Sequence, residues 1–312
     1  MTPTRRSFLL APALGLVPFR IESSLKLPAL LPVTRLLFGG DVMLSRHVAA
    51  VARKQADPAW PMRGVAGLFS SADIAFVNLE SPFSDRGRTV EDGMVFKAEP
   101  EMIEALSIAG IDVVSTANNH ARDRGSHGLE FTLDLLAKAG IAAVGTGLTA
   151  EASHQGAVLQ RNGVRFGFLA YTFDQSNGNY SDRDERIAML DADRMTMDVK
   201  SMLGRADVVA VSMHAGWEYY RRPNPWQQKF ARAAIDAGAS IVVGHHPHVT
   251  HTAESYAKGI IFYSLGNLVF DQLQRKETQR GAIADVRFIG TRIVSYGMIP
   301  IEIVQTVPKV VY

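Results

Sequence analysis

Apolar runs and helical patterns alternate along the first half of the chain. Four runs rich in apolar and β-branched residues each end in small or polar residues, which is typical of buried strands. These runs cover residues 33–40, 72–80, 111–119 and 141–147. Residues 99–110 and 126–140 instead place apolar residues at helical spacing and end at Gly110 and Gly140, as helices commonly do. The pattern predicts strands connected by helices.

The second half of the chain repeats this alternation. Its strand-like runs are residues 164–173, 206–216, 239–246 and 259–267. A helix is predicted over residues 224–238, because Pro225 stands at its start and Gly238 at its end. From Ala282 onward the pattern predicts further strands without clear helices. Alternation over most of the chain predicts an α/β fold whose sheet faces are covered by helices.

Composition narrows the kinds of site that this fold can carry. The 312 residues are 47% hydrophobic and 21% charged, with a net charge of +2, which describes an ordinary globular protein. No long run of one charge sign occurs, so bulk electrostatics do not favour a nucleic-acid partner. The absence of cysteine excludes disulfides and a cysteine nucleophile. A metal site would have to use His, Asp, Glu and Asn, which suit Zn, Mn, Fe or Mg.

The N-terminus differs from the rest of the chain. Arg5 and Arg6 precede a short apolar run over residues 8–19, and a helix that crosses a bilayer needs about 20 apolar residues. The two arginines resemble those of a twin-arginine export signal. We therefore expect residues 1–30 to be an export signal, cleaved or retained as an anchor, although a surface arm is the alternative. Residues 31–312 are expected to form a single domain in the periplasm or on the outer face of the cytoplasmic membrane.

Residues with metal-binding chemistry follow the ends of successive predicted strands. They are Asp41, Asn78, Glu80, Asn118, Asn119, His120, His214, His245, His246, His248, Asn267 and Asp271. Each one alone has an ordinary explanation, such as a helix cap for an aspartate or a turn for an asparagine. In open α/β sheets, however, ligands bind beyond the carboxyl ends of the strands. The series therefore predicts one shared site.

The segment GHHPHVTH, residues 244–251, holds four of the nine histidines in the chain. Side chains one residue apart on a strand point to opposite faces, but in a turn they can converge. Gly244 and Pro247 favour such a turn. We expect His246 and His248 to be metal ligands and His245 to face away from them, while the role of His251 stays open.

Six segments resemble, in order, the motifs of the CapA family, the bacterial poly-γ-glutamate capsule synthesis proteins. They are GDVML (40–44), NLESP (78–82), ANNHARDRG (117–125), HAGWEYYRRPNPWQ (214–227), GHHPHV (244–249) and YSLGNLVFDQ (263–272). That family is in turn similar to the calcineurin-like metallophosphoesterases. The resemblance implies an α/β four-layer sandwich of two mixed β-sheets flanked by helices, with a two-metal site at the strand ends.

The resemblance also implies which residues bind one or two divalent ions, which would be Mn, Zn, Fe or Mg. One ion would be bound by Glu80, Asn119, His214 and His246. The other would be bound by Asp41, Glu80 and His248. Met43 stands where the superfamily usually has a histidine, so the position beside Asp41 is expected to be weak or empty.

Further residues are expected to act around the metals. By resemblance, His120 is the general acid that helps a leaving group depart, and Asp123 orients its ring. Arg46 either binds an anionic substrate as a bidentate fork or is a solvated helix residue. Four polar residues are expected to support the ligands through hydrogen bonds: Asn78, Glu218, Asn267 and Asp271. Glu218 would pair with His214, which lies one helical turn earlier.

Two classes of function follow from the resemblance. One is a metal-dependent hydrolase or transferase that acts on an anionic substrate, either a phosphoester or a γ-glutamyl polymer. The other is a non-catalytic protein that binds the polymer or acts as a scaffold for membrane capsule-synthesis proteins. The histidine missing at Met43 favours binding, whereas Asn119, His120 and Asp123 favour catalysis. Neither class involves nucleic acid.

Overall fold

The computed structural model describes residues 32–88, 94–174 and 183–311. Within them the strands are β1 (Val33–Val42), β2 (Ile74–Leu79), β3 (Val113–Ser115), β4 (Ala142–Val144), β5 (Ala157–Arg161), β6 (Val164–Thr172), β7 (Val208–His214), β8 (Ile241–His245), β9 (Ala253–Tyr256), β10 (Gly259–Phe262), β11 (Asn267–Val269), β12 (Arg280–Ile289), β13 (Arg292–Val304) and β14 (Val307–Val310). The helices are α1 (Arg46–Lys54), α2 (Ala66–Phe69), α3 (Ile103–Ile108), α4 (Gly125–Lys138), α5 (Ala150–Gln155), α6 (Ala192–Leu203) and α7 (Pro225–Ala237). The predicted export signal lies outside the described residues.

The first sheet is built around β1. It has the order β14-β13-β12-β1-β2-β3-β4, and β11 also pairs with β1. The strands β1 to β4 are parallel, whereas β12, β13 and β14 are antiparallel to their neighbours. Because β1 is central, Asp41 near its carboxyl end pairs with Asn78 on one side and with Asn267 on the other.

The second sheet has the order β5-β6-β7-β8-β10-β9. Its central strands β6, β7, β8 and β10 are parallel, and β5 and β9 form antiparallel edges. His214 and His245 are register partners at the ends of β7 and β8. Parallel pairing thus places both histidines at one end of the sheet.

Three apolar layers hold the two sheets and the helices together. On β1, Leu36 and Phe38 face the second sheet, whereas Leu37 between them faces the layer under the helices. The third layer, between the second sheet and α6 and α7, includes Val209 and Phe230. Successive strand residues point to opposite faces, so each central strand is buried on both. The predicted four-layer sandwich of two mixed sheets flanked by helices is confirmed.

One predicted strand is wrong in an informative way. Residues 259–267 were expected to be one strand, but β10 ends at Phe262 in the second sheet and β11 begins at Asn267 in the first. The chain changes sheets at Gly266, which has a φ of +66° that favours glycine. Its carbonyl oxygen accepts a hydrogen bond from Asp41 N at 3.0 Å. This crossing brings Asn267 to the site.

Predicted helices and strands elsewhere differ mainly in their ends. The helix α7 has Asn224 and Gln227 as a reciprocal cap, with Pro225 in its first turn and Gly238 at its left-handed end, as its sequence predicts. β3 is only three residues long because residues 116–120 leave the sheet and line the site. No helix in residues 32–88, 94–174 and 183–311 is both long and apolar enough to cross a membrane.

Candidate metal site at the strand ends

Polar side chains from both sheets meet beyond the ends of the parallel strands. The predicted ligands Asp41, Glu80, Asn119, His214, His246 and His248 are all at most 6% exposed. Five of these six residues, all except Asn119, are in direct polar contact with Asn78 or Asp41. The sequence prediction of one shared site therefore agrees with where these side chains lie.

Asp41 is the centre of the acidic side of the cluster. Its Oδ1 accepts a hydrogen bond from Asn78 Nδ2 at 2.9 Å, and its Oδ2 lies 3.3 Å from His248 Nδ1. Burial alone would raise the pKa of Asp41, but the His245 and His248 imidazoles beside it outweigh burial and hold the pKa well below its ordinary value. Asp41 is therefore ionised, as a metal ligand must be.

Asn78 connects the carboxylates to the histidine of β7. Its Nδ2 also lies 3.4 Å from Glu80 Oε2 and 3.2 Å from His214 Nδ1, and its Oδ1 accepts from Asn118 at 3.3 Å. Asn78 thus contacts three of the predicted ligands, in keeping with the supporting role expected of it.

The two carboxylate oxygens of Glu80 differ in their contacts. Its side chain is 1% exposed, and Oε1 accepts no hydrogen bond from any residue that the structure describes. His248 Nε2 lies 3.7 Å and His120 Nε2 3.9 Å from this oxygen. Burial, followed by the charge of Asp41, raises the pKa of Glu80 well above its ordinary value. A buried carboxylate oxygen without a partner is costly unless a cation or proton meets it.

Asn119 and His214 offer a second pair of atoms that could bind a metal. The Oδ1 of Asn119 lies 2.7 Å from Nε2 of His214, close to the roughly 3 Å that separates two ligands of one ion bound at about 2.1 Å. Burial, followed by the charge of His246, lowers the pKa of His214 well below its ordinary value. The imidazole is therefore neutral and available to a metal.

A strained turn directs His246 and His248 into the site. His246 has a φ of +95° and His248 a φ of +58°, a region that residues other than glycine rarely adopt. The backbone N–H of His246 donates to Asp41 Oδ2 at 3.2 Å. His248 Nδ1 lies 2.9 Å from Asn267 Oδ1, which supports the expected role of Asn267. The turn predicted around Pro247 thus makes the two side chains converge.

The two histidines of this turn have opposite electrostatic surroundings. Burial, followed by the charge of His248, lowers the pKa of His246 to about 3. Burial would also lower the pKa of His248, but the Glu80 and Asp41 carboxylates raise it to about 9. Because the pKa of Glu80 is raised as well, the Glu80–His248 pair retains a proton near neutral pH.

Two groups of side chains in the described residues could each hold a metal ion. One group is Asp41, Glu80 and His248, and the other is Glu218, His246 and His248. Within each group the ligand atoms lie within 4.8 Å of one another. Carboxylate and imidazole groups are common ligands of divalent metals in proteins, and the identity of the metal, Mn, Zn, Fe or Mg, stays a prediction.

His120 and Asp123 form a buried dyad beside these groups. Asp123 Oδ2 lies 2.6 Å from His120 Nδ1 and also accepts from Phe96 N at 2.6 Å. The ring of Phe96 stacks on that of His120 with centroids 3.9 Å apart. The contact between Asp123 and Nδ1 directs the opposite nitrogen of His120 toward Glu80. This is the arrangement that the resemblance implies for a general acid and the carboxylate that orients it.

The structure corrects two expectations about histidine neighbours. His245 does not face away from the site, because its Nδ1 lies 3.3 Å from Asp41 Oδ1 and the residue is fully buried. The pairing of Glu218 with His214 that the sequence predicts requires a helix, but residues 215–220 are not helical. Glu218 approaches His246 and His248 instead.

Arg46 and Asp271 contact each other instead of serving separate roles. Arg46 Nε donates to Asp271 Oδ2 at 3.0 Å, and a second contact joins Nη2 to Oδ1. The backbone N–H of His47 also donates to Asp271. Asp271 therefore supports Arg46 and not a metal ligand. Binding of an anionic substrate by Arg46 stays a prediction, and it would require this ion pair to rearrange.

Met43 and His251 also have defined surroundings. Met43 is fully buried in the apolar layer between the first sheet and its helices, so its position offers no ligand to the site. His251, whose role the sequence leaves open, places Nε2 2.7 Å from the carbonyl oxygen of Tyr220. It contacts the loop that carries Glu218.

Sequence reasoning missed three features of the site. These are the approach of Glu218 to the histidine turn, the Phe96 ring on His120, and the Phe173 ring, whose centroid lies 4.7 Å from that of His246. The sequence singles out Glu218, but helical spacing from His214 suggests the wrong contact, because residues 218–219 form a turn. The aromatic contacts carry no sequence signal, since they depend on which loops meet.

The chain is similar to bacterial capsule synthesis proteins. Residues 35–272 match the family described as the bacterial capsule synthesis protein PGA_cap. The chain is 32% identical over 281 residues to the capsule biosynthesis protein CapA of Bacillus anthracis, covering 86% of this chain and 67% of that protein. It is 35% identical over 244 residues to the PGA biosynthesis protein CapA of Bacillus subtilis (strain 168), covering 75% and 63%.

A solved structure supports the fold at low sequence identity. A putative 5'-nucleotidase from Staphylococcus aureus, in complex with alpha-ketoglutarate, superposes with a TM-score of 0.53 and 12% identity. The match covers 86% of this chain and 54% of that one. At this identity the likeness concerns the arrangement of strands and helices alone.

Proposed function

The chain belongs to the bacterial capsule synthesis protein family PGA_cap, and on that premise we propose that it is a metal-dependent hydrolase or transferase. Its substrate is an anionic molecule of capsule or poly-γ-glutamate synthesis, either a phosphoester or a γ-glutamyl polymer. The chain spans about two thirds of the length of the two relatives above, so its activity is argued from its own residues.

One observation carries the proposal. Asp41, Glu80 and His248 bring three ligand atoms within 4.8 Å of one another, and the buried Glu80 Oε1 accepts no hydrogen bond from the described residues. The same holds for Nδ1 of His246. A divalent cation would give Glu80 Oε1 and His246 Nδ1 a partner. Carboxylate oxygens and imidazole nitrogens are ligands that such cations commonly have in proteins.

The described residues fit one or two divalent ions. Asp41, Glu80 and His248 would hold one, and Glu80, Asn119, His214 and His246 would hold the other. Bound there, divalent metal lowers the pKa of water and stabilises negative charge on a phosphoryl or carbonyl oxygen. Asn78 and Asn267 keep Asp41, Glu80 and His248 in place through the hydrogen bonds described above.

His120 would supply the proton that the leaving group needs. Asp123 binds Nδ1 of His120 at 2.6 Å, which leaves Nε2 to face the Glu80 side of the site. A proton donated from Nε2 would neutralise the oxygen or nitrogen that departs. Asp123 does not touch the substrate in this scheme, so it is a positioning residue.

An activity screen tests the proposal most directly. Purified protein loaded with Mn²⁺ or Zn²⁺ is given a generic aryl phosphate and, separately, poly-γ-glutamate. We expect turnover of at least one of them, abolished by chelation and strongly reduced in His120→Asn. Turnover of one only would assign the substrate class. Activity on neither substrate from fully metallated protein would contradict a catalytic function.

A second candidate function is binding of an anionic polymer without catalysis, which one exposed surface favours. Trp217, Tyr220 and Trp226 are 57%, 60% and 47% exposed, and a cavity of about 490 Å³ lies between Trp217, Trp226 and Phe173. Phe173 also contacts His246, so this surface adjoins the site. Exposed aromatic rings of this kind commonly mark a binding surface.

Binding can be separated from catalysis experimentally. Chelated protein is titrated with poly-γ-glutamate, and the double variant Trp217→Ala, Trp226→Ala is compared with wild type. A purely binding protein would retain affinity without metal and lose it in the double variant. Affinity that disappears on chelation would favour the metal site as the point of attachment.

A further inference from the structure

We propose that Glu218 is a metal ligand of this protein and adds a carboxylate to the side of the site where His246 and His248 bind metal. The bound ion would be a divalent cation such as Zn, Mn or Fe. The inference rests on the metal dependence proposed above and extends it to a residue outside the ligand set implied by the resemblance.

The position of Glu218 supports this role. One of its carboxylate oxygens and one nitrogen of each histidine lie within 4.8 Å of one another. His246 is 5% exposed, and its Nδ1 has no hydrogen-bond partner among the described residues. Glu218 is half-buried, so a metal bound there would be reached from outside. Two imidazoles and a carboxylate are a common protein ligand set for catalytic zinc, with a fourth position left for water or substrate.

The backbone holds Glu218 against the histidine turn. Tyr219 N donates to the carbonyl oxygen of Pro247, between the two histidines, at 2.8 Å. Tyr219 in the loop has a φ of +66°. His246 and His248, on either side of Pro247 in the turn, also have positive φ. Such strain persists only where surrounding contacts enforce it, and it is concentrated at functional sites.

Two further hydrogen bonds fix the loop on either side of Glu218. His251 Nε2 lies 2.7 Å from Tyr220 O, and Gln227 Nε2 donates to Ala215 O at 2.7 Å. Gln227 also belongs to the cap of α7, so the loop is tied to a rigid helix. A carboxylate held this way loses little conformational entropy when it binds an ion.

Met43 offers no ligand from the position two residues after Asp41. Met43 is fully buried in the apolar layer under the helices, and its sulfur accepts from Ser45 N at 3.2 Å. Its side chain thus fills a packing role on the far side of β1. Glu218 approaches from the loop after β7 of the second sheet, and it would add a carboxylate beside His246 and His248. The ligand set would then carry one more negative charge.

Metal binding by Glu218→Gln tests the inference without an activity assay. The variant removes the charge and retains the shape of the side chain. Wild type and variant are dialysed against Mn²⁺ or Zn²⁺, their metal content is measured, and the affinity is determined by competition with a chelating dye. We expect the variant to lose about one ion per chain, or to bind one ion on the order of 100-fold more weakly.

Glu277→Gln is the matched control. Glu277 pairs with Arg221 at 2.6 Å in the neighbouring loops, so the control makes the same charge change nearby without touching the site. It should bind metal like wild type. Thermal melts of the metal-free proteins should agree within about 2 °C, because Glu218 is not part of the core.

The outcomes separate this inference from the proposed function. Wild type and Glu218→Gln that bind the same metal with affinities within twofold would overturn the role of Glu218 and leave the metal site intact. Wild type that binds no metal would overturn the metal dependence itself, and with it both proposals. Loss of metal in Glu277→Gln as well would also overturn the inference, because the effect would then reflect charge near the site and not ligation.

Discussion

At the residue scale, the site gives different protonation states to side chains of one type. His246 has a pKa lowered to about 3, whereas the pKa of His248 is raised to about 9. The difference comes from contacts, because His248 lies beside Asp41 and Glu80 while His246 is buried next to a charged histidine. A metal requires both rings to be neutral.

Metal binding should therefore release a proton. At about pH 7.5 His246 is already neutral, but the Glu80–His248 pair holds a proton that a metal must displace. We expect about one proton to be released per chain. Affinity should therefore rise as the pH rises toward about 9, the pKa of His248. Calorimetry in buffers of different ionisation enthalpy measures the number released. A heat of binding that is the same in all buffers would contradict this protonation state.

The His120–Asp123 dyad gives a second prediction at this scale. His120→Asn should lower kcat by roughly 10²–10⁴-fold, because the general acid is lost, while metal content stays unchanged. Asp123→Asn should lower kcat less and also displace the pH optimum, since it alters the ring that it orients. A residue with only a structural role would change stability and leave the pH profile in place. Equal kcat in His120→Asn and wild type would contradict the assignment.

At the element scale, the strand ends determine where the ligands lie. The apolar runs predict β1, β2, β7 and β8 because strands buried on both faces read as continuous hydrophobic sequence. The three-residue strand β11 could not be predicted, since its pairing depends on a crossing between sheets at Gly266. Glu218 could not be placed correctly either, because helical spacing suggested a contact that the turn conformation removes.

Close backbone packing at this crossing makes Gly40 necessary. A Cβ atom at Gly40 would overlap the carbonyl oxygen of Gly266, which accepts from Asp41 N. Gly40→Ala should cost at least about 3 kcal/mol of unfolding free energy, because backbone cannot give way as a side chain can. The melting temperature should fall by about 6 °C or more.

Gly297→Ala is the control for this prediction. Gly297 lies in β13, and a Cβ there meets nothing within 4 Å. The control should melt within about 1 °C of wild type, because a small side chain in open space changes little. Equal melting temperatures for Gly40→Ala and wild type would contradict the prediction. They would show that β1 can move away from residues 264–267 without loss of stability.

At the scale of the whole molecule, two sheets must pack face to face for the site to exist. Asp41, Asn78, Glu80 and Asn119 come from the first sheet, whereas His214, His246 and His248 come from the second. The alternation of strands and helices predicts the α/β class, and the motif resemblance predicts the four layers. The separation between the ligands could not be predicted, since it depends on how the Phe38, Phe76 and Phe168 rings set the spacing between the sheets.

Export is a proposal at this scale that the described residues do not address. We expect residues 1–35 to direct a reporter protein out of the cytoplasm through the twin-arginine route, which suits a protein that folds around metal first. Arg5→Lys and Arg6→Lys together should block export. A reporter that stays cytoplasmic, or one exported equally well with both changes, would contradict that route.

The metal content of the purified protein tests the central claim most directly. Wild type is compared with the double variant His246→Ala, His248→Ala after both have been dialysed against the same divalent metal, and folding is verified by circular dichroism. The proposed site predicts about one to two ions per chain in wild type and on the order of one tenth of that in the double variant. Equal, trace amounts of metal in both proteins would contradict the claim that these strand ends form a metal site.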